Sequence, residues 1–342
     1  MDEGVSFVVC CHNSARLLPE TLGRLAAQQC TTPLPPCEVI VVDHASTDQT
    51  AAVARTSWPP ASPIPLRVVS EPQLGLTSAR LRGIVEAKYE LVCFVDDDNR
   101  LNPDWLKTIS GLASEHADVG AFGGQVEAIA ERSLPAWFPR FQNYYAVGQQ
   151  ADKAGDVTDS RGYLWGAGLC IRKRAWQALT EKNFSFRLSD RKGRALSAGG
   201  DAELCYALRL AGWRLWYEPQ LRMQHFLPES RLQWDYLRRV SRGFGAATAG
   251  FDAYDMAIKE LPTGTTENMR RTWGWQTLAT IKYLLQNPFK LLRAPLSSME
   301  GDADVLRIES LWGRLLELLK NRRNYISNLR DLSTLKPKSR IR

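Results

Sequence analysis

The stretch Cys93-Phe94-Val95-Asp96-Asp97-Asp98-Asn99 sets an apolar run, residues 91–95, directly against three carboxylates. Read as a buried strand, the run delivers its acids to the carboxyl edge of a sheet, where open α/β folds bind ligands. Three adjacent carboxylates disfavour one another's ionised forms, a conflict that a divalent cation relieves. Hard oxygen ligands suit Mg²⁺ or Mn²⁺. The plainer alternative is an Asp-rich loop capping the next helix. Asn102 and Asp104 beside Pro103 are able to do that without Asp96 to Asp98.

Other groups able to do chemistry stand at comparable places. His12-Asn13-Ser14 follows the apolar run 5–11, and Asp43-His44 follows 39–42. Gly166-Ala167-Gly168 lets a backbone approach a ligand closely. Gly199-Gly200-Asp201 precedes a helical pattern of Leu204, Leu208 and Leu210 with Gly212 as its stop, and His225 follows the apolar triplet 215–217.

The elements that must position these groups alternate regularly. Strands are expected at 5–11, 39–42, 66–69, 91–95 and 119–122, with 215–217 a further short one. Helices are expected around Leu17, Leu18, Leu22 and Leu25, after Ser46 or Thr47 as a cap, from Thr77 to about Ala87, and from Pro103. Residues 58–65 hold four prolines and read as loop. This alternation implies βαβ crossovers and a mostly parallel sheet with helices on both faces. His12-Asn13, Asp43 and Asp96 to Asp98 then converge on one sheet edge, although each alone would be an ordinary loop group. Residues 131–162 are aromatic and irregular, with Trp137, Phe138, Phe141, Tyr144 and Tyr145, either to face a sugar or to fill a core.

Composition bounds the class. Of 342 residues, 44% are apolar, enough for a folded core. The seven cysteines, at 10, 11, 30, 37, 93, 170 and 205, include no Cys-x-x-Cys and fit reduced, buried thiols of a cytoplasmic protein; four scattered histidines disfavour zinc. No basic stretch leads an apolar core at the start, and no apolar run approaches the ~20 residues needed to span a bilayer. Residues 231–342 carry 20 Lys+Arg against 11 Asp+Glu, a net +9, so the rest of this +7 chain is slightly acidic. The first part reads as an enzyme and the tail as a segment that meets an anionic surface. Helices are expected there at 236–249, 271–285 and 305–319. Leu311, Leu315, Leu318, Leu319 and Trp312 form one face, and Trp273, Trp275, Tyr283, Phe289, Leu291 and Leu292 mingle with Lys282, Lys290 and Arg293. Such mixtures fit an interfacial segment or helices packed on the catalytic part or another subunit. The tail's aromatics do not form a base-stacking module, so nucleic acid is not expected as a partner.

Six stretches in this order carry a resemblance: VSFVVCCHN from 5, EVIVVDHASTDQT from 38, GLTSARLRGI from 75, VCFVDDDN from 92, GAGLCIR from 166 and GDAELCYALRLAGWRLWYEP from 200. The chain resembles family 2 inverting glycosyltransferases of GT-A fold, of the bacterial cell-surface glycan type. The resemblance implies a GT-A (nucleotide-diphospho-sugar transferase) fold over residues 1–228 and a basic helical C-terminal extension over 229–342. It implies a nucleotide-sugar donor, a UDP-sugar foremost, laid across the strand ends. Cys10, His12 and Asn13 would line the base pocket, Asp43 would bond the nucleoside, and Arg80 would face the diphosphate. Asp96-Asp97-Asp98 looks like the family's Asp-x-Asp motif, with Asp96 on the ribose and Asp98 on Mg²⁺ or Mn²⁺. His225 resembles a late histidine that completes the metal shell, or is structural. Asp201 would be the base, at a helix start where the dipole favours a carboxylate, with Glu203 as rival. Two departures stand out: His44 replaces a frequent second Asp, and Gly200 replaces a Glu before the base. The acceptor implied is a glycan or a lipid-linked sugar at the inner membrane face. A nucleotidyltransferase making a nucleotide sugar is the alternative, although it would carry a Gly-rich basic loop after the first strand.

Overall fold

The computed structural model describes residues 2–29, 34–188, 199–259, 269–270, 272–286, 300–323, 325, 332 and 334–336. Cys30, Arg271, Phe289, Lys290, Leu291, Leu292, Arg293 and most of the run 333–342 lie outside the described residues.

The expected alternation is present. The first half runs β1 (Asp2–Cys11), α1 (Leu18–Ala26), β2 (Cys37–His44), α2 (Thr50–Ser57), β3 (Leu66–Glu71), α3 (Leu76–Glu86), β4 (Tyr89–Asp96), β5 (Asn99–Leu101) and α4 (Trp105–Glu115). Then come β6 (Val119–Ala130), α5 (Phe138–Phe141), β7 (Gly155–Asp156), β8 (Cys170–Arg172), α6 (Lys173–Thr180), α7 (Gly200–Leu210) and β9 (Arg214–Leu227). The C-terminal helices are α8 (Trp234–Lys259), α9 (Trp273–Leu285) and α10 (Ala303–Lys320). Among the described residues the sheet order is β3-β2-β1-β4-β8-β6-β9-β5, with β7 also on β9. β3, β2, β1 and β4 pair in parallel; β8 lies antiparallel between β4 and β6, so β6 and its parallel neighbour β9 run with the first four.

Side chains alternate across this sheet as strand geometry requires. Phe7, Val9, Val39, Val41, Cys93 and Val95 join the core under α1 and α4, while Val8, Ile40, Val42, Val92 and Phe94 join the core under α3, α6 and α7. Burial on both faces is why these strands are almost continuously apolar. Each such side chain contributes roughly 1.5–3 kcal/mol of transfer free energy. Helix α3 sits close on β1: a Cβ on Gly83 would meet Val8 Cγ1 at 2.2 Å.

Three sequence expectations need correction. Ser46 and Thr47 do not cap α2. It starts at Thr50, whose N–H donates to Asp48 Oδ1 (3.0 Å), while Ser46 and Thr47 bond back to Asn13. The short strand at 215–217 is part of a 14-residue strand that contains His225. Pro219 sits where the β6–β9 register shifts, and pairing resumes at Arg222. The apolar face expected on α10 is split: Leu315 and Leu318 are buried, whereas Trp312 and Leu319 face outward.

The core is continuous across residue 228. Trp234, Tyr236, Leu237 and Val240 of α8 join one face's core, and Ala253 and Tyr254 the other's. Helix α10 lies against α8: Ser241 Oγ donates to Leu306 O at 2.8 Å, and buried Glu309 pairs with Arg238 (2.8 Å) and Arg242 (2.5 Å). Among the described residues no helix is long and apolar enough to cross a membrane. Cys10, Cys11, Cys37, Cys93, Cys170 and Cys205 are buried, and none of them is in a disulfide among the described residues.

Candidate active site

The strand ends meet as topology requires. In the β1–β4 ladder Cys10 faces Asp96, and in the β1–β2 ladder Cys11 faces Asp43. Above them opens a cleft of ≈ 340 Å³. Its walls include Cys10, His12 and His44 on one side, Asp96, Asp97 and Asp98 on the floor, Arg80 on α3, and Asp201, His225 and Arg231 beyond.

Asn13 and Asp43 stand outside that lining. Asn13 adopts φ +55°, a left-handed conformation Asn tolerates, and its Oδ1 accepts from Thr47 N at 2.8 Å, so it staples two strand-end loops together. Asp43 Oδ1 is buried and accepts no hydrogen bond among the described residues. Such an acceptor calls for a donor group, and a nucleoside offers one. The His12 and His44 rings stack at 5.3 Å, and His12 Nδ1 donates to His44 O at 2.9 Å. Burial first, and His12 second, hold the pKa of His44 below its ordinary value. A flat pair of imidazoles at this wall suits a base ring.

The acid cluster is internally braced. Asn99 Oδ1 accepts from Asp96 N (3.1 Å), and Asn99 Nδ2 donates to Asp98 Oδ1 (3.1 Å). Burial first, and the charge of Asp98 second, push Asp97 up to about 7. The three-residue strand β5, which begins at Asn99, pairs antiparallel with β9 and sets Asn99 opposite His225; Phe226 N also donates to Asp98 O (2.8 Å). This pairing carries His225 to the acids across 127 positions. Its Nδ1 lies 2.8 Å from Tyr145 O, and a carbonyl only accepts, so Nδ1 holds a proton and, in the neutral ring, Nε2 presents a lone pair. Nε2 lies 3.5 Å from Asp98 Oδ2. A carboxylate and an imidazole nitrogen oriented by a backbone carbonyl form a donor set that fits Mn²⁺ or Mg²⁺. No group of three His, Cys, Asp or Glu converges among the described residues, so further ligands would come from phosphate and water.

Arg80 lies 5.4 Å above the Phe94 ring, and its Nη2 would be 2.6 Å from a Cβ on Gly166. Gly166 itself donates its N–H to Asp201 Oδ2 at 2.6 Å. Asp201 is the second residue of α7 and points into the cleft rather than capping its own helix. Glu203 points the other way. It is fully buried and accepts from Arg187 N (2.9 Å), Leu188 N (3.0 Å) and Tyr254 Oη (2.7 Å), which makes it an anchor for the chain before α7.

Of the aromatic stretch, Trp137, Phe138, Phe141 and Tyr145 fill the core, while Tyr144 lines the cleft stacked on Phe244 (5.5 Å, 16°). Arg231 is the site residue that sequence reading missed. Its Nη1 donates to Asp98 Oδ2 at 2.7 Å and lies 3.4 Å from His225 Nε2. Burial opposes its charge, but Asp98, Tyr236 and Asp97 outweigh that and raise its pKa above the ordinary arginine value. A basic residue six places after a candidate ligand histidine was the only signal in the sequence.

Residues 6–173 match the model of Glycosyl transferase family 2. A curated relative, the glucosyl-dolichyl phosphate glucuronosyltransferase of Haloferax volcanii, is 24% identical over 243 residues, covering 70% of this chain and 74% of its own. Among solved structures, S. aureus TarS 1–349 in complex with UDP-GlcNAc aligns at TM-score 0.51 and 16% identity, over 94% of this chain and 92% of its own. The mannosyltransferase PcManGT of Pyrobaculum calidifontis, in complex with GDP-Man and Mn²⁺, aligns at TM-score 0.55 and 17% identity, over 94% and 87%.

Proposed function

The chain belongs to glycosyl transferase family 2, and on that premise we propose that it moves a sugar, with inversion, from a nucleotide-diphosphate donor, a UDP-sugar foremost, to a hydroxyl of a glycan or lipid-linked acceptor in cell-surface polysaccharide synthesis. The observation that carries this reading is Asp201 facing the same cleft as Arg80 and the acids Asp96 to Asp98. One carboxylate stands apart from a cluster suited to a diphosphate and its counter-ion. The donors bound in TarS and PcManGT, and the Mn²⁺ of the latter, support the donor class. The lipid-phosphate acceptor in the Haloferax relative's name supports a lipid-linked one here.

In this reading Cys10, His12 and His44 hold the base, Asp43 accepts from the nucleoside, Asn13 fixes the loops around it, Asp96 meets the ribose and Arg80 bonds phosphate oxygens as a planar fork. Gly166 keeps Oδ2 of Asp201, leaving Oδ1 to take the acceptor's hydroxyl proton as that oxygen bonds to the anomeric carbon. The bond from that carbon to the diphosphate breaks on the opposite face, and the nucleoside diphosphate leaves. A Mg²⁺ or Mn²⁺ ion held by Asp98 and His225 would neutralise charge on the leaving group. The enzyme would work at the cytoplasmic membrane face, with the C-terminal helices touching anionic lipid.

Incubation with a panel of nucleotide sugars and glycan or polyprenyl-phosphate acceptors, with Mn²⁺, Mg²⁺ or chelator, tests it. Release of nucleoside diphosphate in step with glycosylated acceptor is expected. Pyrophosphate release instead would assign a nucleotidyltransferase, and no release with any donor would remove the reading.

A further inference from the structure

We propose that Arg231 is the resident cation of the Asp98–His225 pair, that it must withdraw before a divalent ion enters, and that this exchange makes metal capture depend on the donor's diphosphate. The inference rests on reading the cleft as the donor site. Asp98 is nearly sealed from solvent, its side chain 2% exposed, and buried carboxylates need a partner. Its Oδ1 is taken by Asn99 and its Oδ2 by Arg231 Nη1 at 2.7 Å. The same Nη1 lies 3.4 Å from His225 Nε2, the lone pair a metal would use. One guanidinium nitrogen therefore stands against both candidate ligand atoms, and two like charges cannot share that point without strong repulsion.

The surroundings permit withdrawal without unfolding. Arg231 ends the 3₁₀ turn Glu229–Arg231 that follows β9, and its side chain is 24% exposed. Its backbone is pinned: Tyr145 Oη donates to Arg231 O at 3.0 Å, while Tyr145 O accepts from His225 Nδ1 at 2.8 Å. Tyr145 thus fixes the histidine ring and the arginine backbone together and leaves the long arginine side chain to move. Arg231 lines the same cleft as Arg80, so a diphosphate there offers the guanidinium a new bidentate partner as it leaves Asp98. By linkage, a nucleoside diphosphate strengthens Mn²⁺ binding by the factor by which Mn²⁺ strengthens nucleotide binding.

The test is Mn²⁺ titration of the full chain by calorimetry, and its melting temperature, with and without UDP or GDP. The wild type is expected to bind Mn²⁺ weakly alone and about tenfold or more tighter with its nucleotide. Arg231→Ala is expected to bind Mn²⁺ alone about tenfold tighter than wild type, and to lose most of the coupling. It should melt lower in chelator, because Asp98 loses its counter-charge, and recover on adding Mn²⁺ alone, whereas wild type barely shifts. Arg231→Lys keeps the charge and should keep the coupling. Unchanged or weaker Mn²⁺ binding by Arg231→Ala overturns the exchange while leaving the donor site standing. Failure of wild type to bind Mn²⁺ with any nucleoside diphosphate overturns both. Should Arg231→Ala not fold even with Mn²⁺, Arg231→Gln with its shorter neutral side chain gives the same comparison, and equal affinity there is equally fatal.

Discussion

The Gly166 amide donates to Asp201 Oδ2 at 2.6 Å, so the candidate base is aimed by the backbone of another segment, 35 positions away, rather than by its own helix. Asp201→Asn separates the two duties. Its amide oxygen still accepts from Gly166, so the melting temperature should move little, and nucleoside diphosphate binding should persist. An amide cannot take the hydroxyl proton, and turnover should fall roughly 10²–10⁴-fold. An active Asp201→Asn enzyme would send the search for the base elsewhere.

Gly166 has no room for a side chain. A Cβ there would lie 2.6 Å from Arg80 Nη2 and 3.1 Å from Asp201 Oδ2. Gly166→Ala should therefore push Arg80 off the diphosphate and Asp201 off its line of attack together, raising KM for the donor and lowering kcat. Steady-state kinetics read both, and a change in KM alone would mean that only Arg80 had shifted.

The strand ends were legible because apolar runs buried on both sheet faces stop abruptly at polar residues, as at Cys11-His12, Val42-Asp43 and Val95-Asp96. The alternation of elements then fixed which ends share an edge. Arg231 was not legible, because its place depends on the antiparallel pairing of Asn99 with His225, and no local pattern records that. Nor was the length of β9, since Pro219 at a register shift reads locally as a stop. Glu203 and Asp201 read alike as acids at a helix start. Only the three donors gathered around Glu203 separate an anchor from a base.

The outward face of α9 holds Trp275, Leu278 and Leu285, which are 50%, 66% and 67% exposed, with Lys282 among them, all within roughly 80° of arc. Its inner side meets α10 through Trp273 Nε1, which donates to Leu318 O at 2.7 Å, and Tyr283 under Arg307 at 4.2 Å. Trp275→Glu with Leu278→Glu should thus leave packing intact and reduce sedimentation with anionic vesicles at low salt several-fold. Equal sedimentation of variant and parent would remove the lipid contact.

Glu203 gives a pH prediction of definite sign. Burial, the largest influence, raises its pKa, and the hydrogen bonds from Leu188, Tyr254 and Arg187 work against that without cancelling it. The folded state therefore holds this proton to higher pH than the unfolded chain, whose value is near 4.5. The stability so contributed is complete below that pH and is lost as pH rises through the folded value. Glu203→Gln cannot titrate. It turns an NH₂ toward donors that need an acceptor, so it should be less stable by about 1–3 kcal/mol. Its activity at permissive temperature should stay within a few-fold of the parent, because Glu203 does not line the cleft. Denaturant melts of both proteins from pH 4 upward read the difference. Wild type should exceed the variant most at the acid end, by a margin that shrinks as pH rises. A margin that grew with pH would mean that the three donors overcome burial and hold Glu203 ionised.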